Sequence, residues 1–198
     1  MTAPLILASG SAVRAQLLRA AGLDFAIVRP PVDEEAIKAS LRAEGLSGRD
    51  QADALAEAKC LSVAVRHQGF VIGADQMLAC DGELFDKPLN RNAARESLKK
   101  LRGRPHHLIG AVCLAKDGAV VWRHIEAPRL MMRPFSDAFL ETYLDQVGEG
   151  ATASVGAYQL EALGAQLFSK IEGDYFSILG LPLLPLLAQL REHGLVPS

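Results

Sequence analysis

Ser9-Gly10-Ser11, Arg14, Lys59, Asp75 and Lys87 are the residues of this 198-residue chain whose types and surroundings suit chemistry. Ser9-Gly10-Ser11 lies between an apolar run, Leu5-Ile6-Leu7-Ala8, and a segment with apolar residues at Val13, Leu17, Leu18 and Ala21. That spacing reads as buried strand, tight turn and helix. Ser11 is placed to cap the helix by accepting from a first-turn N–H. Free N–H donors and the positive end of the helix dipole then point the same way, which suits the phosphate groups of a substrate. Arg14, one turn in, adds a fork of charged donors. An ordinary capped βα turn has the same pattern. The turn matches neither the P-loop nor the dinucleotide-binding glycine fingerprint.

Asp75 follows Phe70-Val71-Ile72-Gly73-Ala74, where a buried strand emerges. Open sheets with helices on their faces place ligands at such strand ends. A carboxylate there can accept a proton from an attacking water or hold a divalent cation. A turn or capping aspartate reads the same way. Lys59, within a helical segment, and Lys87, kept extended by Pro88, are candidates for neutralising a polyphosphate, with a solvated surface role as the alternative. Asp33 and Glu34 open a helix after Pro30-Pro31, where the dipole favours acids.

Other chemistries are excluded by spacing. The five histidines form no metal-ligand pattern, and His106 and His107, as strand neighbours, face opposite sides. Ser154 follows Thr152-Ala153, so it is no nucleophile elbow. Cys60, Cys80 and Cys113 are unpatterned, which reads as reduced core thiols in a cytoplasmic protein. A net charge of −2 with no basic tract argues against nucleic acid as the main partner. Ile178 to Leu190 is broken by Gly180, Pro182 and Pro185 and falls short of the ~20 residues that span a bilayer. Met1 to Leu5 lacks the basic and apolar regions of a signal peptide.

The elements that must position these residues follow from punctuation. A strand over Phe25 to Arg29 and a helix to about Glu44 come first. A longer helix, capped by Asp50, carries Lys59. The strand ending at Asp75 is followed by hairpins at Asp81-Gly82 and Asp117-Gly118, the second between His107–Ala115 and Ala119–Met132. Helices run from about Asn92 to Leu101 and from the Ser136 cap, with an extended loop carrying short pieces of structure over Gly148 to Gly164. Gln166–Ile171 and Tyr175–Leu179 read as a late strand pair, and Leu183–Leu190 as a closing helix. With 49% hydrophobic residues, this is a globular α/β or α+β chain of one domain, or of two small lobes around a cleft.

In order, the motifs are S-x-S-x-x-R after a strand, V-D-E, a helix lysine, V-I-G-A-D, D-G-E-x-x-x-K-P, G-A-Y, E-G-D-Y-F and G-L-P. That ordered set resembles the Maf family of nucleoside triphosphate pyrophosphatases over nearly the whole chain, 1–198, as a single domain. The resemblance implies an α/β fold with a mixed twisted sheet, flanking helices and two lobes around a cleft. It implies a cytoplasmic, often homodimeric hydrolase that uses a divalent cation, Mg²⁺ or Mn²⁺. The reaction cuts between the α- and β-phosphates of a nucleoside triphosphate, giving a monophosphate and pyrophosphate. The family is associated with clearing non-standard nucleotides and with restraint of septum formation. Carried over by position, Ser9 and Arg14 match the phosphate-binding motif, Glu34 the acidic site residue, Lys59 the helix lysine, Asp75 the catalytic acid and Lys87 the K-P lysine, with Glu34 and Asp75 as metal ligands.

The departures from the family pattern are specific. Val13 stands where a second arginine is usual, Gln76 and Gly110 where threonine is common, and Ser154 and Glu161 where lysine and glutamine are common. Gln76 and Glu161 bring the chain nearer the 7-methyl-GTP subgroup than the dTTP/UTP subgroup. Glu161 would bind substrate there, since a carboxylate accepts from guanine N–H donors and meets a methylated ring carrying positive charge. Two alternatives stay open: a house-cleaning enzyme for ITP or XTP, and a non-catalytic nucleotide-binding regulator of cell division.

Overall fold

In the computed structural model, which describes residues 4–197, the elements alternate in type along the chain. They are β1 (Leu5–Ala8), α1 (Ala12–Ala20), β2 (Ala26–Val28), α2 (Glu34–Ala43), α3 (Gly48–Ala64), β3 (Phe70–Cys80), β4 (Glu83–Phe85), α4 (Arg91–Leu101), β5 (Pro105–Lys116), β6 (Ala119–Glu126), β7 (Arg129–Met132), α5 (Asp137–Val147), β8 (Phe168–Glu172), α6 (Tyr175–Ile178) and α7 (Leu183–Glu192). Two 3-10 turns, Gly148–Thr152 and Leu163–Leu167, lie between α5 and β8. Strand pairing is mixed and helices flank it, as expected for an α/β chain. Of the amino-terminal stretch read for a signal sequence, residues 1–3 lie outside the described part. Among the described residues no helix is long and apolar enough to cross a membrane.

The chain divides into two units. The first takes the chain through Gln76, then Gly110–Glu126, then the part from Gly180 on. At its centre β1 is buried at all four residues, because it pairs in parallel with β2 on one side and β3 on the other. The later half of β5 pairs antiparallel with β6 through Asp117-Gly118, whose φ values of 49° and 85° make the tight hairpin turn that Asp-Gly favours. Cys60 and Cys113 are buried thiols here; Cys80 is likewise a buried thiol of the second unit.

The second unit holds Met77–Ile109 and Ala127–Leu179. The stripe Ala94, Leu98 and Leu101 of α4 is fully buried at helical spacing and shares a core with Leu130, Met132 and Leu140. His106 of β5 is also buried there, while its neighbour His107 is exposed. Burial pushes the His106 pKa down to about 4, so the imidazole is neutral at pH 7. The unfolded chain therefore binds more protons than the folded one between pH 6.5 and about 4. Stability that is whole above pH 6.5 is lost as pH falls through that window, by about 3 kcal/mol. Denaturant midpoints across pH 4–7 should show this fall, and His106→Phe should make it shallower.

Four expected elements differ. The strand expected to emerge at Asp75 runs on without a break to Cys80, because its far end pairs with β4 through the Asp81-Gly82 hairpin, so Asp75 stands in the middle of β3 rather than at a strand end. Ser47 rather than Asp50 caps α3: its hydroxyl accepts from the Asp50 N–H at 3.2 Å and donates to the Asp50 carboxylate at 2.6 Å, so Asp50 closes the cap from inside the helix. The segment expected as one strand from Ala119 to Met132 is two, broken at Pro128, with β6 on the later part of β5 and β7 on the earlier part. Tyr175–Ile178 is a helical turn, not a strand. The Asp174 carboxylate accepts from both the N–H and hydroxyl of Ser177, and that cap overrides the β propensity of Tyr-Phe-Ser-Ile. β8 pairs with β7 instead.

Candidate active site

The end of β1 and the start of α1 form the turn the spacing implies. Ser11 is the N-cap, accepting from the Arg14 N–H at 3.3 Å, and Ser9 Oγ accepts from the Ser11 N–H at 3.1 Å. Arg14, 9% exposed, uses its fork on protein carbonyls: Nε donates to Gly180 O at 2.7 Å and Nη1 to Ala74 O at 2.8 Å. Nη1 also lies 3.4 Å from Ser9 Oγ. Burial pushes the guanidinium pKa down, while the charges of Asp75 and Glu34 push it up. Arg14 is thus both a cation facing two carboxylates and the tie joining α1, the middle of β3 and the loop before α7.

A lysine keeps the charge but not the fork. Arg14→Lys should leave a buried carbonyl, Gly180 O or Ala74 O, without its donor, at a cost of about 1–3 kcal/mol. Urea unfolding measures this; an unchanged midpoint would show that the fork is dispensable.

Lys59 reaches the site from the other side. Its ammonium, 6% exposed, lies 2.6 Å from Asp75 Oδ1 and 2.8 Å from Glu34 Oε2. Asp75 is equally buried, whereas the Glu34 side chain is about half exposed. The approach depends on Gly73. A β-carbon there would stand 2.4 Å from Ala56 O and 2.6 Å from Cys60 Cβ, so α3 rests directly on the backbone of β3. Residues 73 and 75 share a face of the strand, and Lys59 adjoins Cys60 on the helix, so the close approach brings ammonium to carboxylate. Glu34 is the first residue of α2; Asp33 before it takes the cap, accepting from the Ala36 N–H at 3.0 Å.

Ser9, Arg14, Glu34, Lys59 and Asp75, spread over 67 positions of sequence, are therefore neighbours within the first unit. Lys87 and Glu161 belong to the second unit. Lys87 follows β4, and Glu161 is exposed beyond Tyr158. Sequence reasoning missed two backbone contributors, Gly73 and Gly180. A glycine among bulky strand residues signals a close backbone approach, and the G-L-P motif marked Gly180 without revealing that its carbonyl takes Arg14.

The donor chemistry fits a hard divalent cation. Oxygens of Glu34 and Asp75 converge on one point, the Lys59 ammonium. Among the described residues no three or more His, Cys, Asp or Glu side chains gather as a complete cage. Two carboxylates with the remaining positions left to water and phosphate oxygens is how Mg²⁺ is commonly held beside polyphosphates.

Known proteins resemble this chain over nearly its whole length. A family model described as Maf-like protein matches residues 4–193. The chain is 54% identical over 194 residues to a nucleoside triphosphate pyrophosphatase of Paramagnetospirillum magneticum, covering 97% of this chain and 100% of that protein. It is 50% identical to one of Hyphomonas neptunium over 198 residues, the full length of both. It is 47% identical over 194 residues to a 7-methyl-GTP pyrophosphatase of Brucella abortus, covering 98% of each.

Proposed function

Since the chain belongs to the Maf family and is a nucleoside triphosphate pyrophosphatase, a hydrolase, we propose that its first unit carries the hydrolytic centre and that Asp75 activates the attacking water. The observation that supports this is the buried Lys59 ammonium held between Asp75 and Glu34, beside Arg14. In this reading the carboxylate of Asp75 orients the water and accepts its proton as it attacks the phosphate chain. Arg14 and Lys59 offset the charge of the triphosphate, the Ser9 hydroxyl donates a hydrogen bond to it, and Lys87 is a further candidate for neutralising phosphate. Glu34 and Asp75 would hold a divalent cation, Mg²⁺ or Mn²⁺, which supplies further neutralisation at the attacked phosphate when bound. Cleavage falls between the α- and β-phosphates, so a monophosphate and pyrophosphate leave in equal amounts. The enzyme acts in the cytoplasm, as a homodimer.

For substrate, we propose 7-methyl-GTP. Gln76 and Glu161 support this, as does the likeness to the Brucella protein named for that activity. A carboxylate at Glu161 matches guanine N–H donors and the positive methylated ring. A panel of normal, methylated and deaminated triphosphates, read for pyrophosphate and monophosphate, tests both parts. We expect 7-methyl-GTP to exceed GTP, dTTP and ITP in kcat/KM by about tenfold, the discrimination one charge-assisted contact supports. Release of orthophosphate would overturn the cleavage position; preference for dTTP, UTP or ITP would overturn the substrate.

A further inference from the structure

Ser154 to Gly164, in the second unit, is held far more tightly than a loop of small residues requires. The Ser154 hydroxyl accepts from the Tyr158 N–H at 3.1 Å and donates to the Tyr158 carbonyl at 2.6 Å. Ala157, at φ 58°, adopts a left-handed conformation unusual for a residue with a β-carbon, and its carbonyl accepts from the buried Tyr143 hydroxyl at 3.1 Å. The Tyr158 ring folds back over Gly156 so closely that a β-carbon there would lie 2.1 Å from it. Beyond Tyr158 the chain turns at once: the Ala162 N–H donates to Gln159 O at 3.2 Å, and Gly164 packs onto the Gln159 backbone, where a β-carbon would stand 2.4 Å from that same oxygen. Glu161 sits exposed at the tip of this closed turn.

Among the described residues, the Tyr158 hydroxyl meets His106. His106 Nε2 lies 2.8 Å from it, both side chains are buried, and the Phe168 ring meets Tyr158 edge-on with centroids 4.8 Å apart. His106 itself stands on a regular strand, β5, paired opposite Leu130 of β7. A rigid sheet position is thereby connected through one hydrogen bond to a ring, and through that ring to the base of the turn bearing Glu161.

We propose that His106 and Tyr158 are a positioning pair that fixes the Gln159–Gly164 turn and so sets how sharply Glu161 discriminates between nucleotide bases. This rests on the reading that Glu161 meets the base. Neither residue touches substrate in this account. The pair acts by holding a carboxylate at a fixed point, so that its interaction with the base is not diluted over many orientations.

The test uses His106→Phe, Tyr158→Phe and the double variant, with Glu161→Ala as reference. Each single change leaves one buried polar atom without its partner; the double replaces the pair by two apolar rings and protects against loss of fold. The first readout is the ratio of kcat/KM for 7-methyl-GTP to that for GTP. The single variants should lower the ratio about tenfold, mainly through KM, as a lost hydrogen bond to a positioned group would. Adding His106→Phe to Glu161→Ala should lower it no further. The second readout is amide hydrogen exchange of Gln159–Gly164, which should speed up in the single variants while α4 and β7 stay protected.

Unchanged ratio and unchanged exchange in the folded single variants would overturn the proposal, leaving the pair as packing alone. If Glu161→Ala itself leaves the ratio intact, the base-contact reading fails. The role in discrimination then falls with it, while exchange still decides whether the pair holds the turn. A ratio that falls equally in the Glu161→Ala background would also overturn it.

Discussion

Asp75→Asn should lower pyrophosphate release by about 10²–10⁴-fold, the contribution of a positioned base, with KM changing far less. Asparagine preserves the shape of the aspartate within β3 and can still accept from Lys59, but it cannot take a proton from water. Lys59 retains Glu34 at 2.8 Å, so the buried ammonium keeps a carboxylate partner and the variant should fold. Circular dichroism and thermal melting establish folding, and single-turnover rates isolate the chemical step. Near-normal turnover by folded Asp75→Asn would assign the proton transfer to another group.

The second large effect is expected at a residue with no side chain. Gly73→Ala places a methyl 2.4 Å from Ala56 O and 2.7 Å from Cys60 N, both backbone atoms that no rotamer change can move aside. Helix α3 must shift away from β3, at a cost of about 1–3 kcal/mol for overpacking and more if the helix cannot slide. Because Lys59 rides on that helix, its 2.6 Å contact with Asp75 opens as well. Activity should then drop about 10²-fold even where the protein remains folded, since displacement by an ångström suffices. A folded Gly73→Ala enzyme with full turnover would show that the close approach is not what aligns the two charges.

Much of this was legible in the sequence because local signals agreed. Leu5-Ile6-Leu7-Ala8, Ser11 and Gly22 each announce their roles by type, and strand, cap and helix end fall where they indicate. Asp81-Gly82 and Asp117-Gly118 gave both hairpins, since few residue pairs take positive φ so readily. Two of the failures had a common cause, a short-range competition decided by one side chain. Asp174 turned an aromatic, strand-like segment into a helical turn, and Ser47 took a cap for which Asp50 was equally suited by type.

At the site, residue types and the turn after β1 brought Ser9 and Arg14 forward, and residue type brought Lys59 and Asp75, although the strand end read at Asp75 is the interior of β3; the likeness to a known family added Glu34. That Arg14 would spend its donors on Gly180 O and Ala74 O was not readable. A backbone carbonyl leaves no mark in sequence, and a contact across 166 residues follows no local periodicity.

That long-range contact also orders events in time. On the ribosome, the segment forming the second unit emerges completely before Gly180 does, because it lies within the sequence between the pieces of the first. A nascent chain that has passed Asp75 already carries Arg14, Glu34, Lys59 and Asp75, yet Arg14 still awaits its acceptor. Competence should accordingly switch on late and abruptly during synthesis. Stalled chains that end before Gly180 would then lack the carbonyl that takes Arg14 Nε.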